Sequence, residues 1–174
     1  MAPILHAGLK RSGICSTISR DLVYSPTKYQ GLGLPNPLIT QGIKKLYFLI
    51  DVYGQPNLGG NTVIQSIEQT QLEIGTSKPF YHLNFKRFKK ANTPSLLTYL
   101  WEFLSQYDIF IDGPLPSLKI MRKNDRLIMD LLYENSSISR DDLAACNRVR
   151  LYLRVTNLAE ITTADGRSLR KDCL

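Results

Sequence analysis

The sequence contains few of the residues on which metal and redox sites usually depend. Its 174 residues include three cysteines and two histidines. Cys15, Cys146 and Cys173 are widely spaced, and neither His6 nor His82 has the short spacing to a cysteine that a zinc site requires. We therefore expect reduced thiols that bind no metal, and we predict no other cofactor.

Long apolar runs are also missing. The longest candidate, Leu46 to Val52, is interrupted at Asp51 and is much shorter than the ~20 residues that span a bilayer. The N-terminus lacks the basic, then apolar, then small-residue order of a signal peptide. We expect an intracellular protein without a membrane partner, and the choice between nucleus and cytoplasm stays open.

Acidic residues are scarce in the first half of the chain. Residues 1–90 hold eleven Lys and Arg against four Asp and Glu, whereas residues 91–174 hold eleven of each. The first half therefore carries the whole net charge of +7. A one-sided basic excess is typical of proteins that bind polyanions, because neutralising phosphates releases counterions. It favours contact with RNA or DNA, although selection for solubility would produce the same excess.

The apolar residues that are present predict a mostly α fold, an irregular helical module with a small β-hairpin near residues 109–121. Hydrophobic residues make up 43% of the chain, which is enough for a packed core. From Leu96 to Tyr107 the apolar residues recur on one helix face. Two β-type runs, residues 109–111 and 118–120, flank a Gly-Pro-Leu-Pro turn, which predicts the hairpin.

Helix and turn signals divide the chain into three predicted parts. Residues 1–76 form a basic helical subdomain, 77–92 a basic aromatic connector, and 93–174 a helical subdomain that contains the hairpin. A tight turn is expected at Asp165–Gly166. Helices are predicted over about residues 2–11, 38–53, 61–74, 93–107, 124–133 and 139–157.

The connector is the best candidate for a binding segment. It interleaves four cations with four aromatic residues between Pro79 and Lys90. Proteins that bind single-stranded nucleic acid combine phosphate contacts with stacking of bases on aromatic rings. The alternative is a basic surface loop that Phe85 and Phe88 anchor to the core. The predicted contact residues in this segment are Lys86, Arg87, Lys89, Lys90, Phe85 and Phe88.

A second candidate is a polar stripe on the last long predicted helix. Asn147, Arg150 and Arg154 are spaced so that they share one face of that helix. Such a stripe is either solvated or binds phosphates through its arginines. Arg150 and Arg154 therefore join the predicted nucleic-acid-binding residues.

The adjacent carboxylates Asp141 and Asp142 resemble the metal-binding turn of polymerases, but their context predicts a helix cap. Two-metal catalysis needs clustered carboxylates. Here Ser139 lies three residues before Asp142, at the start of a helical stretch, as in a capping box. We therefore predict no catalytic residue at this pair.

Four further aspartates raise the alternative of a metal-dependent nuclease. A restriction-type site would also need a Glu-x-Lys-like strand, which the sequence lacks. The basic cluster at residues 122–126 instead indicates a solvated helix start, capped by Asn124 or Asp125. The four aspartates are Asp108, Asp112, Asp125 and Asp130.

Several segments, in order, resemble the region downstream of the polymerase active site in reverse-transcriptase-like proteins of retrotransposons. One of these segments is Tyr24-Ser-Pro-Thr-Lys-Tyr-Gln-Gly-Leu-Gly-Leu-Pro35, where the family typically has Tyr-Gly-Gly-Leu-Gly. Gln30 replaces the first glycine, and Ser25 stands where glycine is common before the proline. The other similar segments are residues 14–20, 41–43, 118–130, 146–153, 158–161 and 164–166.

The resemblance implies a thumb-and-linker region that grips the template–primer duplex. Residues 1–76 would be the thumb-like part, and the catalytic aspartates would lie upstream of Met1. The chain would then be a fragment of an RNA-directed DNA polymerase, without activity of its own, with the upstream polymerase domain as a partner.

We therefore expect a non-catalytic module that contacts RNA or DNA independently of sequence. Two alternatives to this function stay open besides the nuclease. One is a structural or protein-interaction module that packs on a polymerase domain, which an exposed apolar face on the helix over residues 38–53 would favour. The other is a decayed element copy without function.

Overall fold

The structure is a computed structural model that describes residues 2–15, 17–113, 116–120 and 123–171, with side chains from residue 7 onward. The described residues form nine α-helices, and the prediction of a mostly α fold is confirmed. Two 3₁₀ turns, Thr27–Tyr29 and Phe80–His82, lie between helices. The helices are α1 (Ala2–Arg11), α2 (Arg20–Tyr24), α3 (Pro37–Val52), α4 (Leu58–Ile74), α5 (Phe85–Phe88), α6 (Leu96–Gln106), α7 (Ile128–Glu134), α8 (Arg140–Leu153) and α9 (Leu158–Ile161).

Capping side chains decide where the long helices begin. The start of α4 is at Leu58 rather than near Asn61, because the side chain of Asn57 accepts the Gly60 N–H at 2.8 Å. Its end is as predicted: Gly75 takes the left-handed conformation with φ 78°. Helix α6 begins after Ser95, which forms a capping box with the residue three positions on.

The predicted β-hairpin near residues 109–121 is not formed by the residues described there. Residues 109–112 and 116–120 belong to no helix and no strand. Pro114 and Leu115 of the predicted turn, and Met121, lie outside the described residues. The β-branched residues Ile109 and Ile111 of this segment instead pack against the core, where they are half-buried.

A short β-bridge does form near the C-terminus. Thr162 pairs with Leu169, and between them the N–H of Gly166 donates to the Thr163 carbonyl at 2.9 Å. Gly166 has φ 70°, which glycine adopts without strain. The tight turn predicted at Asp165–Gly166 is therefore confirmed.

The chain divides into two compact units, Met1–Lys45 and Leu46–Leu174, so the boundary falls within α3 and not at the predicted connector. In the first unit, α2 pairs with the loop that follows it. The N–H of Leu32 donates to the Leu22 carbonyl at 3.0 Å, and that of Leu34 to the Val23 carbonyl at 3.1 Å. Val23 is fully buried beneath this loop.

The core of the second unit surrounds Trp101 on α6. Phe80, Phe85 and Phe88 pack against its ring with centroid separations of 5.3, 5.2 and 5.9 Å. The indole N–H donates to the Leu83 carbonyl at 2.9 Å, so the polar atom of this buried ring is satisfied. The predicted connector is therefore a core element of this unit.

Gln71 on α4 fixes how the connector enters the core. Its buried side-chain amide donates to the carbonyls of Thr76 and Lys78 at 2.7 and 3.0 Å and accepts the Phe80 N–H at 2.9 Å. These bonds satisfy both ends of the amide, as burial requires.

Of the helices in the described part of the chain, none is both long and apolar enough to cross a membrane.

Candidate nucleic-acid interface

The aromatic residues predicted to stack on bases are not on the surface. Phe85 is 6% exposed and Phe88 is fully buried, and both contact Trp101. Phe88 also stacks on Tyr133 at 5.2 Å. Rings in these positions cannot reach a nucleic acid without opening the core, which corrects the stacking prediction. The alternative interpretation, that Phe85 and Phe88 anchor the segment, describes the structure.

Arg87 on α5 ties that helix to the end of α7. Its guanidinium donates to the carbonyls of Leu132 and Asn135 at 3.4 and 2.7 Å. It also lies 5.2 Å from the centroid of the Tyr133 ring, a cation–π contact. Arg87 is therefore a packing residue rather than a free phosphate ligand.

The three lysines of the segment remain at the surface. Lys89 pairs with Glu102 at 3.3 Å, and Lys90 pairs with Asp141 at 2.6 Å. Both pairs are exposed, so each is worth little and a phosphate could compete for the lysine. Lys86 is exposed and pairs with no described residue. Acidic neighbours nevertheless neutralise part of this surface.

Arg150 is 3% exposed and lies inside the second unit. Its guanidinium donates to the carbonyls of Leu72 and Glu73 at 2.9 and 2.8 Å, in the last turn of α4, and Nε donates to Asn147 Oδ1 at 3.0 Å. A Cβ on Gly75 would lie 2.7 Å from the guanidinium carbon, so glycine is needed for this approach. Burial lowers the pKa of Arg150. Its prediction as a phosphate ligand is corrected.

Arg154 does lie at the surface, as the residue that ends α8. It adopts the left-handed conformation with φ 56°, and its N–H donates to the carbonyls of Arg150 and Leu151. Its side chain is exposed. Of the two arginines in the predicted stripe, only Arg154 is accessible.

The predicted helix cap at Asp141 and Asp142 is confirmed. Ser139 Oγ accepts the Asp142 N–H at 3.1 Å and donates to the Asp142 carboxylate at 2.7 Å. Both aspartates lie in the first turn of α8, where negative charge is favourable.

Two of the four aspartates considered for a nuclease accept hydrogen bonds from backbone N–H groups in different places. Asp130 accepts the Ser77 N–H at 3.1 and 3.2 Å, whereas Asp125 accepts the N–H of Arg126 at 2.8 Å and of Ala159 at 3.1 Å. Within the described ranges, no group of three or more His, Cys, Asp or Glu could hold a metal ion. Cys15 and Cys146 are exposed and unpaired, and Cys173 lies outside those ranges.

The strongest basic surface belongs to the first unit. Residues 1–45 contain six Lys and Arg and one acidic residue, Asp21. No ion pair with another described residue involves the exposed cations of this unit. Dividing the charge at residue 45 instead of 90 would have located this surface from the sequence. These exposed cations are Lys10, Arg11, Arg20, Lys28 and Lys44.

The second unit also contains an apolar groove of about 690 Å³. It lies between the C-terminal end of α3, the length of α4 and the start of α6. Leu58 is 84% exposed and Leu96 is 45% exposed, so large apolar side chains at this groove are accessible to solvent. Its principal apolar residues are Phe48, Val52, Leu58, Val63, Leu96 and Leu97.

Helix α3 also exposes apolar side chains, as the protein-interaction alternative requires. Within the first unit these are Leu38, Ile39 and Ile43, and within the second Tyr47, Phe48 and Ile50.

Comparison of the chain with protein-family models, with curated proteins and with solved structures finds no match.

Proposed function

We propose that this chain is a non-catalytic module that binds RNA or DNA, without sequence preference, through the basic surface of its first unit. The observation that carries the proposal is the charge of residues 1–45, six Lys and Arg against Asp21 alone, with five of the cations exposed. Contacts to phosphates alone carry no sequence information, so such a surface binds any strand.

The proposal differs from the sequence expectation in where the contact lies. Arg87 and Arg150 are occupied by backbone carbonyls, and Lys89 and Lys90 by acidic partners. The second unit as a whole contains sixteen Lys and Arg against fourteen Asp and Glu, so its net field is weak. Lys86 and Arg154 remain as accessory contacts.

The resemblance to the region after the polymerase domain of retroelement reverse transcriptases supports the same proposal. One of the similar segments, Tyr24 to Pro35, lies within the first unit. In this proposal the chain holds a template or primer strand beside an upstream polymerase domain, and that domain would carry out the chemistry.

The test is a filter-binding titration of the chain with radiolabelled oligonucleotides of unrelated sequences at low salt. We expect retention of all of them with similar affinity, falling linearly on a log–log plot as salt is raised. If neither RNA nor DNA is retained at low salt, the proposal is disproved. A strong preference for one sequence would disprove the sequence-independent mode.

A second candidate function is a module that docks onto a polymerase domain through apolar contacts. The observation that favours it is the open apolar groove bordered by Leu58 and Leu96. Exposed apolar patches of this kind commonly mark protein interfaces.

Co-purification with a separately expressed polymerase domain of a retroelement reverse transcriptase tests this second function. Leu58→Ser together with Leu96→Ser should abolish the interaction, because both side chains border the groove. Val149→Ser on α8 is the matched control, since Val149 is also exposed but lies away from the groove. Equal retention of the polymerase domain by both variants would exclude the groove as the docking site.

A further inference from the structure

The loop after α2 has a closely specified backbone. The N–H of Gly31 donates to the Pro26 carbonyl at 3.2 Å, and that of Gly33 to the Ser25 carbonyl at 2.9 Å. A Cβ on Gly31 would lie 2.1 Å from the Ser25 carbonyl oxygen, so only glycine fits there. With the bonds that join this loop to α2, these contacts hold residues 25–34 in a defined conformation; these residues are here named the tip loop.

The tip loop presents an aromatic ring and a cation side by side. Tyr29 is 68% exposed, although its ring is large and apolar. Lys28 is also exposed, and its ammonium lies 4.7 Å from the centroid of the Tyr29 ring. The pair therefore contributes little to packing, and its position is set by the backbone beneath it.

We propose that Lys28 and Tyr29 form a contact site for single-stranded nucleic acid, in which an unpaired base stacks on the Tyr29 ring and Lys28 contacts the adjacent phosphate. This inference rests on the proposed function and specifies the substrate class and the contact residues. Stacking on an aromatic ring tolerates any base, so it agrees with binding that is independent of sequence. A base in a duplex is already stacked and cannot use the ring.

The charge around the pair favours a nucleic acid over an acidic protein segment as the ligand. The unit contains six Lys and Arg against Asp21 alone, so its net charge attracts a polyanion. The combination of a stacking ring with a cation is the arrangement that single-strand binding grooves repeat.

Fluorescence anisotropy with labelled oligouridine and oligothymidine of about 16 nucleotides, beside a duplex of equal length, tests the inference. Tyr29→Ala should weaken binding of the single strands about 5- to 100-fold and leave duplex binding unchanged. Tyr29→Phe should bind like the wild type. Lys28→Gln should lower the salt slope for single strands by about 0.7.

Two matched variants serve as controls. Tyr152→Ala removes an exposed ring, 86% against 68% for Tyr29, from α8 in the second unit. Lys119→Gln removes the same charge as Lys28→Gln from an exposed position in the second unit, so it controls for the change in net charge. Neither should reproduce the selective loss of single-strand binding. The oligouridine and oligothymidine arms show whether RNA or DNA is bound better.

The outcomes separate this inference from the proposed function. Wild-type chain that binds duplex but no single strand would overturn the tip-loop site and leave the basic surface in place. Equal single-strand affinity of Tyr29→Ala and Tyr152→Ala would also overturn it and leave the exposed ring as a surface for a protein partner. Wild-type chain that binds no nucleic acid would overturn both proposals.

Discussion

At the scale of single residues, the basic side chains differ in whether their donors already have acceptors within the protein. Arg150 has a planar fork of donors, and the last turn of α4 offers carbonyls without helical partners. Burying the guanidinium there gives its donors two acceptors, and the Leu72 carbonyl would lose its donor if Arg150 were solvated. Lys28 has no such partner among the described residues and stays at the surface. Two residues with the same charge, Arg150 and Lys28, thus have different roles in the structure.

Arg150→Met should destabilise the second unit strongly. The substitution keeps the apolar stem but leaves the Leu72 carbonyl without its donor and removes one of the two donors to the Glu73 carbonyl, so the free energy of unfolding should fall by about 3 kcal/mol. Urea unfolding can be followed by the fluorescence of Trp101, the single tryptophan, which is buried. Arg148→Met, at an exposed position on the same helix, should change the value by no more than about 0.5 kcal/mol. Similar losses in both variants would contradict the assigned role.

At the scale of elements, the tip loop depends on Gly31. In Gly31→Ala the new methyl group would overlap the Ser25 carbonyl, so the loop must shift away from α2. We expect the N–H groups of Leu32 and Leu34 to exchange with solvent at least about tenfold faster, as measured by hydrogen exchange with NMR detection. Gly8→Ala in α1, where a Cβ would meet nothing within 4 Å, should leave these rates unchanged. Unchanged exchange in Gly31→Ala would show that the loop is not held as described.

The short helix α9 is stabilised by a carboxylate at its start. Partial burial opposes ionisation of Glu160, but the N–H groups of Asn157 and Thr156 and the Thr156 hydroxyl donate to it, and together they lower its pKa below the ordinary value of 4.5. A lowered pKa in the folded state means that the stabilisation is present above pH 4.5 and is lost as the pH falls through the folded-state pKa.

Glu160→Gln should therefore reduce the Tm at neutral pH, and the difference from the wild type should shrink as the solution is acidified through that pKa. Thermal unfolding followed by circular dichroism over a pH series measures this difference. Glu68→Gln removes the same charge from an exposed position on α4 and controls for the net charge. A Tm difference that is constant over the whole series would show that the carboxylate does not act through its ionised form.

Elements with a local signal could be predicted, and those that depend on distant partners could not. Gly75 marks the end of α4 and Ser139 the start of α8, because each acts within one helical turn. The segment around Phe85 and Phe88 has no local signal for which side faces inward. Its orientation is set by Trp101, which comes later in the chain. The burial of Phe85 and Phe88, which the sequence predicts as stacking residues, could not be predicted for the same reason.

At the scale of the whole molecule, charge and apolar surface are distributed differently between the two units. The first unit carries most of the basic excess on exposed side chains, whereas the second has nearly balanced charge and an open apolar groove. A nucleic acid would be attracted by the first distribution, since phosphate binding depends on net positive charge at the surface. A protein partner would be bound by the second.

The central claim is that the first unit provides the phosphate contacts, and the salt dependence of oligonucleotide affinity in two charge-matched variants tests it most directly. One variant replaces Lys10, Arg11, Arg20 and Lys28 with glutamine, and the other replaces Lys86, Lys89, Lys90 and Arg154. The first variant should lose about 0.7 from the single-strand salt slope for each phosphate contact removed, whereas the second should lose no more than the smaller contribution of the accessory contacts Lys86 and Arg154. A slope that falls in the second variant and is retained in the first would contradict the claim.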